Sequence, residues 1–374
     1  MKKLFIVVNV DSFFLSHRLP IALAAKEQGY NVSIICANTG CRKEIENYGL
    51  AFIEVPFERS GTNFFHELKC IRLLCKLYRK YKPDVIHHVT LKVCLLGSLA
   101  AKIVGYKNVV NAISGLGYNF IEGRNGLPQR IIRLMIPIAF KSKTFHFILQ
   151  NHDDIDLITN MKLVPSKNIV LIKGSGVDLK EYSYSKLPQT GKLQFLFPAR
   201  MLFDKGLSEF IEAANKVKPK IADKAEFILA GDCDLENLAA IKPDELQEKV
   251  DNDYIKWIGY QKNMLPVYKQ SSVVVLPSYR EGLPKSLIEA CAIGRPIITT
   301  DVPGCRECVV DGYNGRLIEA KNARDLASAI LEFVDNKHLL EYYSQNSRLI
   351  AEKDFSIEDV ITKTITVYNR ITIG

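Results

Sequence analysis

Two glutamates eight residues apart, Glu281 and Glu289 in YREGLPKSLIEACAIGRP (279–296), have the clearest capacity for chemistry. On one continuous helix, eight steps of 100° leave two side chains about 80° apart, a poor arrangement for gripping one atom. Pro284 and Gly294 change that picture, because proline fits the first position of a helix and glycine the position just past its end. Glu281 then lies in the loop before the helix, and Glu289 about one and a half turns inside it. Both can reach one ligand laid across the helix N-terminus, where unpaired N–H groups and the dipole favour oxygen-rich, anionic partners. The alternative is a capping-region glutamate plus a surface glutamate.

Upstream, FPARMLFDKGLSEF (197–210) places Arg200 at a strand end, Lys205 in the turn and Gly206 just before a helix. Two cations beside a helix N-terminus make a diphosphate pocket, with arginine supplying a bidentate fork and lysine a point charge. The alternative is a solvated turn. ILAGDCD puts Gly231 at another strand end, where backbone can approach a ligand closely, and WIGYQ offers Gly259 and Tyr260 near where a base would lie. The single Trp257 reads as core. DCD (232–234) and DND (251–253) spell the D-x-D metal clamp, but both stand in polar, turn-like contexts, and no metal is expected.

Alternating elements must position these groups. Apolar β-branched runs at 4–10, 31–37, 51–56, 84–89, 108–113 and 145–150 read as strands. Helix-like segments at 16–28, 41–48, 63–81 and 92–104 lie between them. Strands without polar alternation, each followed by a helix, imply a parallel sheet covered on both faces. The polar, turn-rich stretch 174–192 is a candidate linker and hinge. The alternation then restarts with strands in LQFLFPA, AEFILAG, DYIKWIG, SVVVLPS, RPIITT and GRLIE and helices near 207–218, 263–270, 284–293 and 322–335. A closing amphipathic helix spans 356–370. The expected fold is α/β: two Rossmann-like, doubly wound domains facing across a cleft, 1–180 and 181–355, with 356–374 packing back on the first. In such sheets ligands bind at the carboxyl ends of strands.

With 374 residues, 47% of them hydrophobic, two cores of this size can be filled. The N-terminal MKKLFIVVNVDS reads as a first strand and not a secretion signal, since its apolar run stops at Asn9 and Asp11. No run of 18 apolar residues is present, which argues against a membrane-spanning helix. Nine scattered cysteines read as reduced thiols of a cytosolic protein. Residues 1–180 hold 25 Lys and Arg against 13 Asp and Glu, a net +12, whereas 181–374 hold 25 against 28, a net −3. The first half therefore faces something anionic: a membrane surface, a phosphorylated substrate or nucleic acid. Nucleic acid is the weakest of the three, because the basic excess lacks interleaved aromatics and a known module.

The turn from Arg200 to Lys205, GVD at 176–178, LPSYREGLPKSLIEACAIGRPIITTDVPG and DGYNGRLIE together resemble the carboxyl half of the family 4 glycosyltransferases. These are retaining enzymes of the two-domain GT-B fold. The resemblance covers nearly the whole chain, strongly from about 195 to 320. It implies that Arg200 and Lys205 hold the diphosphate of a nucleotide-sugar and act catalytically with Glu281. Glu281 and the backbone of Gly282 and Leu283 would contact the donor sugar, Glu289 the ribose hydroxyls, and Gly231 and Tyr260 the rest of the donor. No cofactor or metal is implied; the cations and the helix N-terminus stabilise the leaving group instead.

In the first half, NVDSFFLSHRLPIA lacks the double glycine that many relatives carry after the first strand. Candidate acceptor contacts are Asp11, His17, Arg18, Lys92, Ser114 and Gly115, the last two within ISGLGYNF (113–120), where relatives often have a histidine. Of His87 and His88, at the end of a strand, at most one can face the cleft. Segments 63–81 and 126–144 mix apolar faces with clustered Arg and Lys, as helices lying on an anionic bilayer do. Within the family, SFFLSHRLPIA, SGLGYNF and the 281–307 stretch look like bacterial enzymes that extend undecaprenyl-diphosphate-linked glycans. That implies a UDP-sugar donor, N-acetylgalactosamine or a related N-acetylhexosamine as the transferred group, O-antigen or capsule as the product, and the inner face of the cytoplasmic membrane as the workplace. An epimerase of UDP-N-acetylhexosamine built on the same two domains is the alternative enzyme.

Overall fold

A computed structural model describes residues 1–58, 64–116, 127–189, 191–235, 237 and 239–373. The chain divides into two compact units, Met1–Ser175 with Ile357–Gly374, and Gly176–Ser356.

In the first unit the strands are β1 (Lys3–Val10), β2 (Asn31–Ala37), β3 (Ala51–Glu54), β4 (Val85–Val89), β5 (Val109–Ile113), β6 (His146–Leu149) and β7 (Ile169–Leu171). Its helices are α1 (Asp11–His17), α2 (Leu19–Glu27), α3 (Arg42–Asn47), α4 (Phe64–Tyr81), α5 (Leu91–Val104), α6 (Leu127–Phe140) and α7 (His152–Asn160). The seven strands are all parallel, in the order β3-β2-β1-β4-β5-β6-β7. β4 and β5 are buried along their whole length, and their polar residues, His87, His88 and Asn111, are buried with the rest.

The second unit carries β8 (Leu193–Pro198), β9 (Ala225–Ala230), β10 (Ile255–Trp257), β11 (Val273–Leu276), β12 (Ile297–Thr300) and β13 (Gly315–Ile318). Its helices are α8 (Leu207–Ile221), α9 (Pro243–Gln247), α10 (Leu265–Gln270), α11 (Lys285–Ala292), α12 (Ala323–Asp335) and α13 (Lys337–Asp354). Its six strands run parallel in the order β10-β9-β8-β11-β12-β13, the doubly wound arrangement of dinucleotide-binding sheets. The order reverses between β1 and β4 in one unit and between β8 and β11 in the other, and those reversals are where such sheets open a crevice for ligands.

α14 (Ile357–Ile373) belongs to the first unit, where Tyr30 donates to Asn369 at 2.9 Å and Tyr368 is fully buried. Among the described residues no helix is long and apolar enough to cross a membrane.

Two sequence expectations change. The helix expected at 16–28 is two helices, α1 and α2, broken at Arg18 (φ −131°, ψ −10°) where Pro20 follows at the start of the second. The stretch expected to be a linker contains the boundary between the units, Ser175/Gly176, and beyond that boundary it is fastened to the second unit. Arg295 is wholly buried and donates to the carbonyls of Tyr268, Ser185, Ile293, Gly294, Lys186 and Lys269. Arg348 adds bonds to Tyr182, Leu179 and Ala292. Polar composition marked the stretch as loop, and two arginines from distant helices and turns fasten it. Arg295→Ala leaves six carbonyls short of a donor and is expected to cost about 3–5 kcal/mol of stability. Urea unfolding followed by circular dichroism checks this; a loss below about 1 kcal/mol would contradict the fastening role.

Candidate active site

β8 ends in Pro198, and the chain turns through a single 3₁₀ turn, Phe203–Lys205, into α8. Gly206 closes that turn at φ +79°, and a Cβ there would collide with the carbonyl of Pro277, so only glycine lets the turn pack on the end of β11. Tyr279 N–H donates to the Asp204 carbonyl at 3.0 Å, and its hydroxyl to Glu209 at 2.8 Å, locking the 277–281 loop onto the same turn. Gly304, at φ +80°, lies against the carbonyls of Glu281 and Gly282 and closes the loop from behind.

Within this frame the Lys205 ammonium is paired with Glu281, and Ser278 Oγ donates to the same carboxylate oxygen at 2.9 Å. Arg200 is paired with Asp234, the last residue of DCD. Each predicted cation is therefore held by a carboxylate. Lys205 is 22% exposed, and Arg200, at 43%, is the more open of the two. Pro284 is the N-cap of α11 and not its first residue, with no side chain capping the helix. Its start thus offers backbone N–H groups beside Glu281.

Glu289 departs from the picture of an open hydroxyl acceptor. It is only 8% exposed, 3.5 Å from Lys285, and close to the hydroxyls of Tyr268 and Tyr182. Burial pushes its carboxyl above the usual range, against the opposing pull of Lys285 and the two tyrosines. Gly231 N–H donates to Gly259 O at 2.9 Å and its carbonyl accepts from Trp257 at 2.8 Å; Trp257 packs against the core as expected. Tyr260 is 71% exposed, Leu283 is buried and Gly282 half-buried.

Sequence reasoning missed Ser278, Asp234 and Glu209. Asp234 lies inside a D-x-D spelling, which carries no sign of an arginine 34 residues earlier. In DND, Asp251 accepts from the N–H groups of Asp253, Tyr254 and Ile255 and from Lys218, a turn anchor. Cys305 and Cys308 are buried, and burial pushes the Cys305 thiol up to about 12.

In the first unit the acceptor candidates separate. Asp11 is fully buried, and its carboxylate takes the N–H groups of Ser12, Thr39 and Cys41 and the Thr39 hydroxyl. Burial alone would raise it, but these bonds win and hold it below the ordinary carboxylate range. Asp11 is thus an organiser of the 38–41 loop and not an open contact. His17 stacks on Phe13 with ring centroids 4.2 Å apart. Lys92 is ion-paired with Glu67 at 2.5 Å and donates to Glu58 O at 2.8 Å, so its charge is already matched. Ser114 and Gly115 follow β5 half-buried, while Gly117 and the rest of ISGLGYNF lie outside the described residues, as do Asn63 and Gly126 of the two basic segments. His87 and His88 are both buried: His88 bonds Tyr78 and Asn111, and His87 bonds Tyr368.

Comparison with known proteins follows the same division. Residues 178–350 match the family described as glycosyl transferases group 1, and residues 3–151 the glycosyl transferase 4-like family. An N,N'-diacetylbacillosaminyl-diphospho-undecaprenol alpha-1,3-N-acetylgalactosaminyltransferase of Campylobacter jejuni is 28% identical, over 94% of this chain and 99% of its own. A UDP-Gal:alpha-D-GlcNAc-diphosphoundecaprenol alpha-1,3-galactosyltransferase of Escherichia coli is 24% identical, over 91% and 89%. Among solved structures, Anabaena HepE in complex with UDP superposes with a TM-score of 0.77 at 16% identity, covering 99% of this chain and 100% of that one. A glycosyltransferase from Rickettsia africae gives 0.78 at 19%, over 99% and 98%. Both likenesses are of fold.

The buried histidines carry a pH dependence. Burial holds His88 down at about 4, opposed by its bond to Asn111, against about 6.5 in the unfolded chain. The stability that neutral His88 contributes is complete above the unfolded value and is lost as pH falls toward 4, up to about 3 kcal/mol. Unfolding at pH 7 and pH 4.5 should show a smaller loss for His88→Gln than for the native chain; equal losses would contradict it.

Proposed function

Because the chain belongs to the group 1, family 4-like glycosyltransferases and has their GT-B fold, we propose that it is a retaining transferase using a UDP-sugar and a lipid-diphosphate-linked saccharide. The transferred group is N-acetylgalactosamine or a related N-acetylhexosamine, the acceptor is carried on undecaprenyl diphosphate, and the product is a bacterial surface glycan. Both relatives above are named for undecaprenyl-diphosphate-linked acceptors, the Campylobacter one as an N-acetylgalactosaminyltransferase and the Escherichia coli one as a galactosyltransferase, and both match along nearly their full lengths. The observation that carries the chemistry is the meeting of Lys205 and Glu281 at the β8/β11 reversal, beside the uncapped start of α11.

In the reaction the bond between the anomeric carbon and the UDP oxygen breaks, leaving positive charge on the sugar ring and negative charge on the diphosphate. Arg200, Lys205 and the N-terminus of α11 take the negative charge, doing the work of a metal ion. Glu281 exchanges its lysine for the donor sugar as the diphosphate claims Lys205. The acceptor hydroxyl attacks from the face that UDP leaves, and its proton passes to the departing diphosphate oxygen. Acid and base are thus substrate groups, and the side chains need only hold charge and position.

A bilayer-facing surface supports the lipid-linked acceptor. On α6, Ile131, Leu134 and Ile138 are exposed at spacings of three and four, one stripe of the helix, and Arg130 and Lys141 are exposed at either end. Phe64 and Phe65 stand exposed at the start of α4. An apolar stripe with a cationic rim is complementary to anionic lipid, and membrane attachment here is peripheral.

Two tests follow. Lys205→Ala and Glu281→Ala should each lower turnover about a hundredfold or more with the melting temperature little changed, while EDTA leaves the native enzyme active. Near-native rates in either variant, or magnesium-dependent rescue from EDTA, would remove the side-chain grip from the mechanism. Separately, Ile131→Glu with Leu134→Glu should abolish co-sedimentation with phosphatidylglycerol vesicles while sparing transfer to a short-chain, water-soluble acceptor. Undiminished sedimentation would place the membrane contact elsewhere.

A further inference from the structure

Arg18 is a buried cation with no paired carboxylate among the described residues. It is 4% exposed, at the break between α1 and α2. Its Nη1 donates to the His17 carbonyl at 2.9 Å, its Nε is buried with no acceptor, and no carboxylate pairs with it among the described residues. The groups that feel its charge are His87 on β4, Cys94 in the first turn of α5 and Tyr368 on α14, all neutral. Burial without compensation pulls the guanidinium down to about 10. Arg295 shows how the same fold satisfies a buried guanidinium it uses structurally, with six carbonyl bonds. Arg18 has one, and an uncompensated buried charge is costly enough that a missing ligand is the natural complement.

Other unmet groups belong to the same place. His87 Nε2 and Thr90 Oγ1 are buried and without partners. Thr90 holds φ 75° and ψ 149°, a region that is essentially glycine's, and no side chain caps the helix that follows. α5 therefore opens with the positive end of its dipole and no side-chain cap. These residues end β4 and begin α5, and Arg18 follows α1, which continues directly from β1. They are at the β1/β4 reversal, the position in the first sheet that Arg200, Lys205 and Glu281 hold in the second.

We infer that Arg18 and the N-terminus of α5 form an oxyanion site whose ligand is a phosphate of the lipid-linked acceptor. The assignment to the acceptor rests on the function proposed above; the site itself rests on the unpaired guanidinium. The donor diphosphate already has two cations of its own in the second unit, whereas the acceptor diphosphate has none among the charges matched so far. Arg18 is a binding residue on this account: it fixes how far the acceptor hydroxyl stands from the lipid phosphate.

Titration of inorganic pyrophosphate into the full chain should reveal two sites, one lost in Arg200→Met and the other in Arg18→Met. Arg18→Met should melt no lower than the native protein, since an apolar side chain replaces an uncompensated cation. With the undecaprenyl-diphosphate-linked acceptor, Arg18→Met and Arg18→Gln should raise the acceptor KM at least about tenfold, with Arg18→Lys intermediate and UDP affinity unchanged. Weakened UDP binding with an unchanged acceptor KM would overturn the acceptor assignment in favour of the donor. Lower melting temperatures with both pyrophosphate sites and the acceptor KM intact would overturn the site and make Arg18 structural. If no lipid-linked acceptor is used at all, the proposed function fails, while loss or retention of the second pyrophosphate site in Arg18→Met still decides this inference.

Discussion

The pairing of the Lys205 ammonium with the Glu281 carboxylate is the contact on which the second unit's site depends. It joins the turn after β8 to the loop after β11, the two strand ends on either side of the reversal. Without a ligand, a lysine and an arginine on one short turn would repel, and each has a carboxylate to hold it: Glu281 for Lys205 and Asp234 for Arg200. The cations are thereby aimed before a substrate arrives, and preorganisation of this kind is what makes charge stabilisation effective in a transition state. It also sets a threshold. A ligand must offer more negative charge, at closer range, than the carboxylates it displaces, and a diphosphate does so where a neutral sugar cannot. Ser278 keeps a bond to Glu281 when the lysine is taken, so the carboxylate is not left unpartnered during the exchange.

Much of this was legible in sequence because strand ends in parallel sheets are marked twice, by the end of an apolar run and by the glycine or proline that follows. Arg200, Lys205, Glu281 and Gly231 were found by that rule and by resemblance. β4, β5 and β11 could be placed within a residue or two because full burial leaves no polar alternation to confuse them. Where the helix boundary depended on one backbone angle, as at Arg18 between α1 and α2, periodicity ran straight through the break.

What stayed hidden were contacts between residues far apart in the chain. Nothing in DCD says that its last aspartate answers an arginine 34 residues earlier. Nothing in 174–192 says that Arg295 and Arg348 will fasten it, since a polar stretch held by carbonyl bonds has the same composition as a free one. Glu289 shows the converse. Its spacing from Glu281 was informative, yet its burial against Tyr182 and Tyr268 depends on that same fastened segment, which carries Tyr182. The side chain expected to meet a ribose is therefore packed against a segment that the arginines hold in place.

The two sheets invite a common physical reading. Each reverses its strand order once, and at each reversal a helix begins without a side-chain cap, α5 in one unit and α11 in the other. In the second unit the surrounding charges are matched internally and must be exchanged for the ligand. In the first, Arg18 has no carboxylate to give up among the described residues. The exchange site favours a ligand that is bound and released in every cycle, because its empty state is stabilised by its own carboxylates. The unmatched site has no such internal competitor, so a phosphate entering it displaces nothing and relieves the cost of the buried cation.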